Sequence, residues 1–266
     1  MPFILVMSVI ALAFIVWEPT TALRSRLSFL PTNTITEPVD GSEPVEFEDP
    51  SAIRIYLTFD DGPSSEATPA ILEILDSFDI RATFFITGYL AERMPDIVRY
   101  QDSKGHVIAN HSYSHNYGTI YASAEAFMMD IEHAEQVFTE ILGSPPPRIM
   151  RFPAGSAASQ LDNSPEMRDA IKASLSAGGW RYFDWNVSIG DSISGWVPNA
   201  GELGTNLIAR IEEQVAHGAT DIIVLAHDMD SKPWTPKDLP MVIEHCKQQG
   251  YVFKTLSLDS PPVEFR

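Results

Sequence analysis

The chain has 266 residues, 44% of them hydrophobic, with 36 acidic and 18 basic side chains and a formal net charge of −18. That length and apolar share support a real core in one large domain or two small ones, and they exclude a disordered chain. The acidic excess repels phosphate backbones and anionic headgroups, which excludes nucleic acid as a partner. The single cysteine, Cys246, excludes an internal disulfide and a cysteine-based zinc cluster, so any metal must be held by His, Asp and Glu.

Pro2 to Trp17 is an uncharged, almost wholly apolar run. At roughly 24 Å as a helix it falls short of the ~30 Å hydrocarbon core. It fits the apolar region of a signal peptide, with Thr20-Thr21-Ala22 as a small-residue cleavage site, although no Lys or Arg precedes it and Arg24 and Arg26 follow. Residues 1–23 are therefore expected to be an export signal or a retained anchor, the chain's one link to a membrane, with the remainder secreted or facing the cell exterior. From Pro31 to Pro50 four prolines accompany six acids and no base. Prolines remove helix and ladder bonds and like charges extend a chain, so residues 24–50 read as a solvated linker and 51–266 as the folded domain.

Beyond Ser51, β-branched and aromatic runs alternate with amphipathic stretches. The expected strands are Arg54–Phe59, Ala82–Thr87, His106–Ala109, Ile149–Phe152, Tyr182–Asn186, Asp221–Ala226 and Tyr251–Thr255. Between them, Ala122–Leu142 puts Phe127, Ile131, Ala134, Phe138 and Ile141 on one helical stripe and stops at Gly143. A second helix is expected over Leu203–Ala216 with Leu207, Ile208, Ile211 and Val215 inward, and a third over Leu239–Gln249. This alternation predicts an α/β fold with a parallel sheet inside helices, closed as a distorted (β/α) barrel of seven strands; a doubly wound open sheet would give the same string.

In such folds the strand-to-helix loops meet on the carboxyl rim of the sheet, where reactive groups collect. Five polar clusters fall there. Asp60-Asp61-Gly62-Pro63 follows the first expected strand, and adjacent carboxylates can divide into a cation ligand and a free base; two aspartates before Gly-Pro can also simply cap a turn. His111 and His115, after the third strand, are four apart, so one helical turn would bring both imidazoles to one side. With a carboxylate they would make a three-ligand zinc-type site, which Co2+, Ni2+ or Mn2+ could also occupy. Arg151 closes the fourth strand beside Phe152 and Pro153, where burial favours pairing with an aspartate. Asp191 follows the fifth. His227 ends the apolar run Ile222–Ala226, a rim position suited to a general acid. His106, His133, His217 and His245 sit inside predicted elements without carboxylate company and read as structural.

Taken together these residues resemble the motifs of the polysaccharide deacetylase family, carbohydrate esterase family four. Thr58-Phe59-Asp60-Asp61-Gly62-Pro63, His111-Ser112-x-x-His115, Arg151-x-Pro153-x-Gly155 and Leu225-x-His227 match in family order. The resemblance implies that Asp61, His111 and His115 hold the metal, Asp60 is the base, Arg151 orients it, and His227 is the acid. The fourth motif departs: Asp184-Trp185 through Asp191-Ser192 offers Asp191 without the usual following tryptophan, so Asp191 is assigned to tune His227 with Asp184 as the alternative. Ala154 stands where the family commonly has an aromatic residue. The implied activity is hydrolysis of N-acetyl groups on N-acetylglucosamine-type residues of a cell-wall polysaccharide, peptidoglycan or chitin-like, releasing acetate. An O-acetyl xylan esterase of the same fold and a non-catalytic carbohydrate-binding relative are the alternatives.

Overall fold

The computed structural model describes residues 49, 51–192 and 197–265. The apolar run, the Thr20-Thr21-Ala22 segment and the acidic stretch through Glu48 lie outside the described residues. In chain order the elements are β1 (Arg54–Asp60), α1 (Ala67–Ser77), β2 (Thr83–Ile86), α2 (Gly88–Arg93), α3 (Pro95–Ser103), β3 (Val107–Asn110), α4 (Tyr117–Ile120), α5 (Ala124–Leu142) and β4 (Ile149–Met150). They continue with α6 (Ser159–Asp162), α7 (Pro165–Ala177), β5 (Arg181–Tyr182), β6 (Val187–Ser188), α8 (Glu202–Ala216), β7 (Asp221–His227), α9 (Trp234–Gln248) and β8 (Val252–Phe253). No helix among the described residues is long and apolar enough to cross a membrane.

Seven strands follow one path, β5-β4-β3-β2-β1-β7-β6, and β8 pairs with β1 off that path. Every pairing is parallel. β1 and β7 are nearly continuous apolar runs, as strands covered on both faces must be, and they pair along their full length from Arg54↔Asp221 to Asp60↔His227. On its other side β1 is shared: β8 pairs with Arg54 and Ile55, β2 with Thr58 to Asp60.

Of the expected fifth strand, Tyr182–Asn186, only Tyr182 is in a strand, and the rest links two short ones. Tyr182 closes β5 at one edge of the sheet and Val187 opens β6 at the other, so Phe183–Asn186 cross the seam between the edges. Asp184 and Asn186 turn to other partners there. The Asp184 amide donates to the Val263 carbonyl at 2.8 Å, and the Asn186 side chain brackets β7 by donating to the Asp221 carbonyl and accepting from the Ile223 amide. The last helix begins at Trp234, five residues before the expected start. Pro236 sits in the first turn, where no intrahelical donor is needed, and Pro240 is carried inside α9 with the loss of one helix bond.

Side chains alternate between the two faces of each strand. Ile55, Leu57, Phe59, Phe84, Ile86, Ile108, Ile222 and Val224 form the outer cluster with buried residues of α1, α5, α8 and α9. Tyr56, Phe85, Ala109, Ile149, Phe183, Ile223 and Leu256 form a separate cluster inside the barrel. In α5 the Ser123 hydroxyl accepts the Ala126 amide, Gly143 ends the helix at φ 79°, and Phe127, Ile131, Ala134 and Phe138 are buried as their spacing predicts; Ile141 is half-buried.

His106 is a core histidine. Its Nδ1 accepts the Ala82 amide at 3.1 Å, and burial with the nearby Arg81 pushes its pKa down to about 4. In the unfolded chain it titrates near ~6.5. Between these values the unfolded state binds a proton that the native state refuses, so stability falls as pH is lowered from about 6.5 to about 4. His106→Gln removes this contribution. Its melting temperature is expected to fall less steeply between pH 7 and pH 4 than that of the unaltered chain, and parallel slopes in calorimetry would contradict the assignment.

Candidate active site

The rim is stitched by backbone bonds that continue past the strand ends. The Asp61 amide donates to the Phe85 carbonyl at 3.2 Å, His111 to Ile86 at 3.0 Å, Arg151 to Asn110 at 3.0 Å, and Asp228 to Asp60 at 3.3 Å. Three of the predicted residues are thereby fixed through their own main chain, while the β1–β7 register sets Asp60 beside His227.

Asp60 ends β1, and the next residue, Asp61, takes a left-handed φ of 75°. Such a conformation is strained outside glycine and is held here by the loop around it. At Gly62, a Cβ would run into the Asp228 carboxylate. Two further aspartates tie this loop to the one after β7. Asp228 accepts the Thr68 hydroxyl at 2.7 Å, and Asp230 accepts the Glu66 and Ala67 amides at 2.9 Å, capping α1. Burial pushes Asp228 up to about 7.

His111 and His115 come together without the expected helical turn. The Asn110 side chain accepts the Ser112 amide, Asp130 accepts those of Tyr113 and Ser114, and the Ser112 hydroxyl accepts that of His115. These side chains take the donors that a helix would have used, and Ser112 and His115 adopt left-handed φ values of 70° and 50°. The result still brings the two rings to a centroid separation of 5.1 Å.

Asp61 Oδ1 lies 3.4 Å from His111 Nε2 and 3.2 Å from His115 Nε2. One ligand atom from each of the three falls within 4.8 Å of the others. His111 Nδ1 is 2.9 Å from the Arg151 carbonyl, to which it donates, so its Nε2 is left with a free lone pair facing Asp61. One carboxylate and two imidazoles so oriented, on the wall of a cavity, fit a divalent cation that keeps an open position.

Beside this trio, Asp60 Oδ1 accepts from Arg151 Nη1 at 2.7 Å. Arg151 is wholly buried; its remaining N–H groups donate to the Thr58 hydroxyl and the carbonyls of Phe183 and Asp184. Opposite, His227 Nδ1 lies 2.7 Å from Asp191 Oδ1, and its Nε2 lies 4.0 Å from Asp61 Oδ2. Burial lowers the His227 pKa, but the bond to Asp191 outweighs it and raises the value to about 9. Asp191 also accepts the His227 amide and the Thr235 hydroxyl, both at 2.8 Å.

Asp184 does not reach His227. Its carboxylate accepts the Ser156 amide and hydroxyl and the Phe265 amide, bracing the loop that carries Ala154. The cavity, about 310 Å³, is walled around the polar groups by Tyr117, Ala154, Trp185, Ser192 and Leu225. Sequence reasoning did not single out Tyr117, Trp185, Asp228 or Asp230; Trp185 and Asp228 were adjacent to assigned residues, the only signal for them. Of the histidines read as structural, His133 stacks on Tyr113, while His245 does have a carboxylate partner, Glu212, at 2.8 Å.

The sequence profile of the polysaccharide deacetylase family matches residues 48–169. The catalytic domain of a peptidoglycan N-acetylglucosamine deacetylase from Eubacterium rectale superposes with a TM-score of 0.73 at 31% identity, covering 82% of this chain and 95% of that one. The chain belongs to the polysaccharide deacetylase family. A peptidoglycan-N-acetylglucosamine deacetylase of Bacillus cereus is 29% identical over 213 residues, 79% of this chain and 72% of the relative. A carbohydrate esterase of Streptococcus mutans superposes with a TM-score of 0.68 at 27% identity, covering 77% of this chain and 87% of that one. The parallel sheet and flanking helices described above are thus the deacetylase fold.

If the trio is a metal centre, His115→Ala should bind zinc at least about 100-fold more weakly than the unaltered chain, measured by titration calorimetry on metal-free protein. His133→Ala, which changes a histidine stacked on Tyr113 outside the trio, should keep one metal per chain. Equal affinity in all three proteins would rule the trio out.

Proposed function

We propose that this chain is a zinc-dependent deacetylase of a cell-wall glycan, hydrolysing the acetamide of N-acetylglucosamine residues to acetate and a free amino sugar. The observation that carries it is the opposed pair of proton-handling groups over the metal-ligating trio: Asp60, fixed by Arg151, on one side, and His227, fixed by Asp191, on the other.

The residues to hold the cation are Asp61, His111 and His115. Bound there, a divalent ion would lower the pKa of a water molecule and polarise the acetamide carbonyl. Asp60 accepts the proton of the attacking water; its Oδ1 is already committed to Arg151, which leaves Oδ2 toward the cavity, 3.8 Å from His111 Nε2. A backbone N–H near Ala154, a residue on the cavity wall, would stabilise the tetrahedral oxyanion. His227 then gives its Nε2 proton to the departing nitrogen as the C–N bond breaks. With its pKa raised to about 9 the imidazole is charged at neutral pH and able to do so. An amide, whose nitrogen cannot leave as an anion, needs that proton more than an ester does, which favours N-acetyl over O-acetyl substrates. Asp191 acts through His227 as a positioning residue.

The apolar segment at 1–23 would deliver the enzyme to the cell exterior as an export signal or anchor, and residues 24–50 would tether the catalytic domain near its polymer. Peptidoglycan is the favoured glycan, since the relatives from Eubacterium rectale and Bacillus cereus are named for it. Acetate release from N-acetylglucosamine oligomers and from peptidoglycan, lost on chelation and restored by zinc, is the direct test. Asp60→Asn should keep its metal yet turn over about 100-fold or more slowly; normal turnover in that variant would remove Asp60 from its role.

A further inference from the structure

Just past β4, Phe152-Pro153-Ala154-Gly155 form a β-turn closed by the Gly155 amide, which donates to the Phe152 carbonyl at 2.7 Å. Proline fixes φ near −65° at the second position, and Ala154 at the third has a φ of 67°, which makes the turn type II. Glycine is the usual residue at that third position, because a side chain is strained at positive φ. A type I turn, with φ near −90° there, would suit alanine better and differs chiefly by a flip of the middle peptide, Pro153–Ala154. The costlier form must therefore be held from outside the turn.

Tyr121 supplies the contact. Its hydroxyl donates to the Pro153 carbonyl at 2.7 Å, and its buried ring lies between those of Tyr117 and Phe127, at centroid distances of 6.2 and 5.8 Å. Burial pushes the phenol pKa up, so the hydroxyl keeps the proton it donates. The Pro153–Ala154 bond is trans, and in a trans peptide the carbonyl and the N–H point in opposite directions. A carbonyl drawn to buried Tyr121 thus turns the Ala154 N–H the other way. Ala154 is exposed and lines the catalytic cavity, whereas Tyr121 does not border it. Among the described residues, nothing accepts from the Ala154 amide. The end of the turn is braced separately, by Asp184 accepting the Ser156 amide and hydroxyl, which leaves the middle peptide to Tyr121.

We propose that Tyr121 is a positioning residue for the reaction: its hydroxyl holds the Pro153–Ala154 peptide flipped so that the Ala154 N–H faces the cavity as the oxyanion donor, an assignment that rests on the deacetylase reading above. The bond to the carbonyl also polarises the peptide and makes its N–H a stronger donor.

Acetate release from the β-1,4-linked N-acetylglucosamine pentamer by the zinc-loaded chain tests it. Tyr121→Phe keeps the ring and deletes the donor; kcat should fall about tenfold or more at unchanged KM, with one zinc still bound per chain. Adding Ala154→Gly, which removes the strain of positive φ, should recover most of that loss, a rescue that a merely structural role for the hydroxyl would not produce. Normal kcat in Tyr121→Phe overturns the proposal. So does a loss that Ala154→Gly fails to repair, or one accompanied by release of zinc. Ala154→Val gives a reading independent of how the Tyr121 variant folds: a β-branched side chain at this exposed position resists positive φ, so kcat should again fall about tenfold, and unchanged kcat counts against the flipped peptide. If the unaltered zinc-loaded chain releases no acetate from any glycan, the deacetylase reading itself is defeated.

Discussion

The structure turns on one buried charge. Arg151 has no exposed surface, and an uncompensated guanidinium at such a depth would cost several kcal/mol. Its compensation comes from two parts of the chain that are far apart in sequence: Thr58 and Asp60 on β1, and the carbonyls of Phe183 and Asp184 in the segment that crosses the seam. Phe85 lies 4.2 Å and Trp185 5.6 Å from the guanidinium, ring to cation. The same fork therefore ties β1 to the crossing between β5 and β6 and fixes the carboxylate proposed as base. Because Arg151 also lends its carbonyl to His111, its main chain orients a ring proposed to ligate the metal while its side chain orients the proposed base. A lysine could not reproduce this, since a single ammonium lacks the planar spread of donors.

Around that charge, the groups proposed as catalytic occupy the top layer of the barrel interior. Tyr56, Thr58 and Asp60 are alternate residues of β1; Ala109 and His111 continue β3; Ile149 and Arg151 continue β4; Ile223, Leu225 and His227 are alternate residues of β7. The lower members of each series lie in the interior apolar cluster or face it, and the upper members are the polar site. Strand period alone carries each series from core to rim, and parallel register aligns the ends. Precision comes from rigid elements below, while the left-handed residues Asp61, Ser112 and His115 aim the ligands at their tips.

Much of this was legible in the sequence because the informative signals are local. The clusters at 60–63, 111–115, 151–155 and 225–227 each mark a strand end, and parallel α/β topology is enough to gather strand ends on one rim. What was not legible depended on distant partners. The run 182–186 has strand composition throughout, but Asp184 is engaged by residues 156, 263 and 265, and no local pattern announces a crossing of the seam. The histidine spacing read as a helical turn, and only the contact with Asp130, carried by α5, shows why the loop has other uses for its amides. The expected start of α9 fell after Pro236, which the helix in fact carries in its first turn, because a proline's penalty depends on its position in the helix. Asp191 and Asp184 could not be told apart by spacing; hydrogen bonds distinguish them, Asp191 to His227 and Asp184 to Ser156.

Charge accounting explains why the rim that carries so many carboxylates calls for an added cation at one place. Asp60 is matched by Arg151 and Asp191 by His227. Asp184 is satisfied by two backbone amides and a hydroxyl, and Asp230 by the amides that open α1, where the helix dipole favours a negative charge. Asp228 is wholly buried and pushed up to about 7, so burial rather than a cation limits its charge. Asp61 alone of the six faces two imidazoles, one of them fixed by the Arg151 carbonyl with its Nε2 lone pair toward the carboxylate. A carboxylate opposite lone pairs is an arrangement that protein groups by themselves leave uncompensated and that a divalent ion completes. The surrounding pairs thus matter as much as the ligands: by consuming every other negative charge on the rim, they leave Asp61, His111 and His115 as the place where a cation gains most.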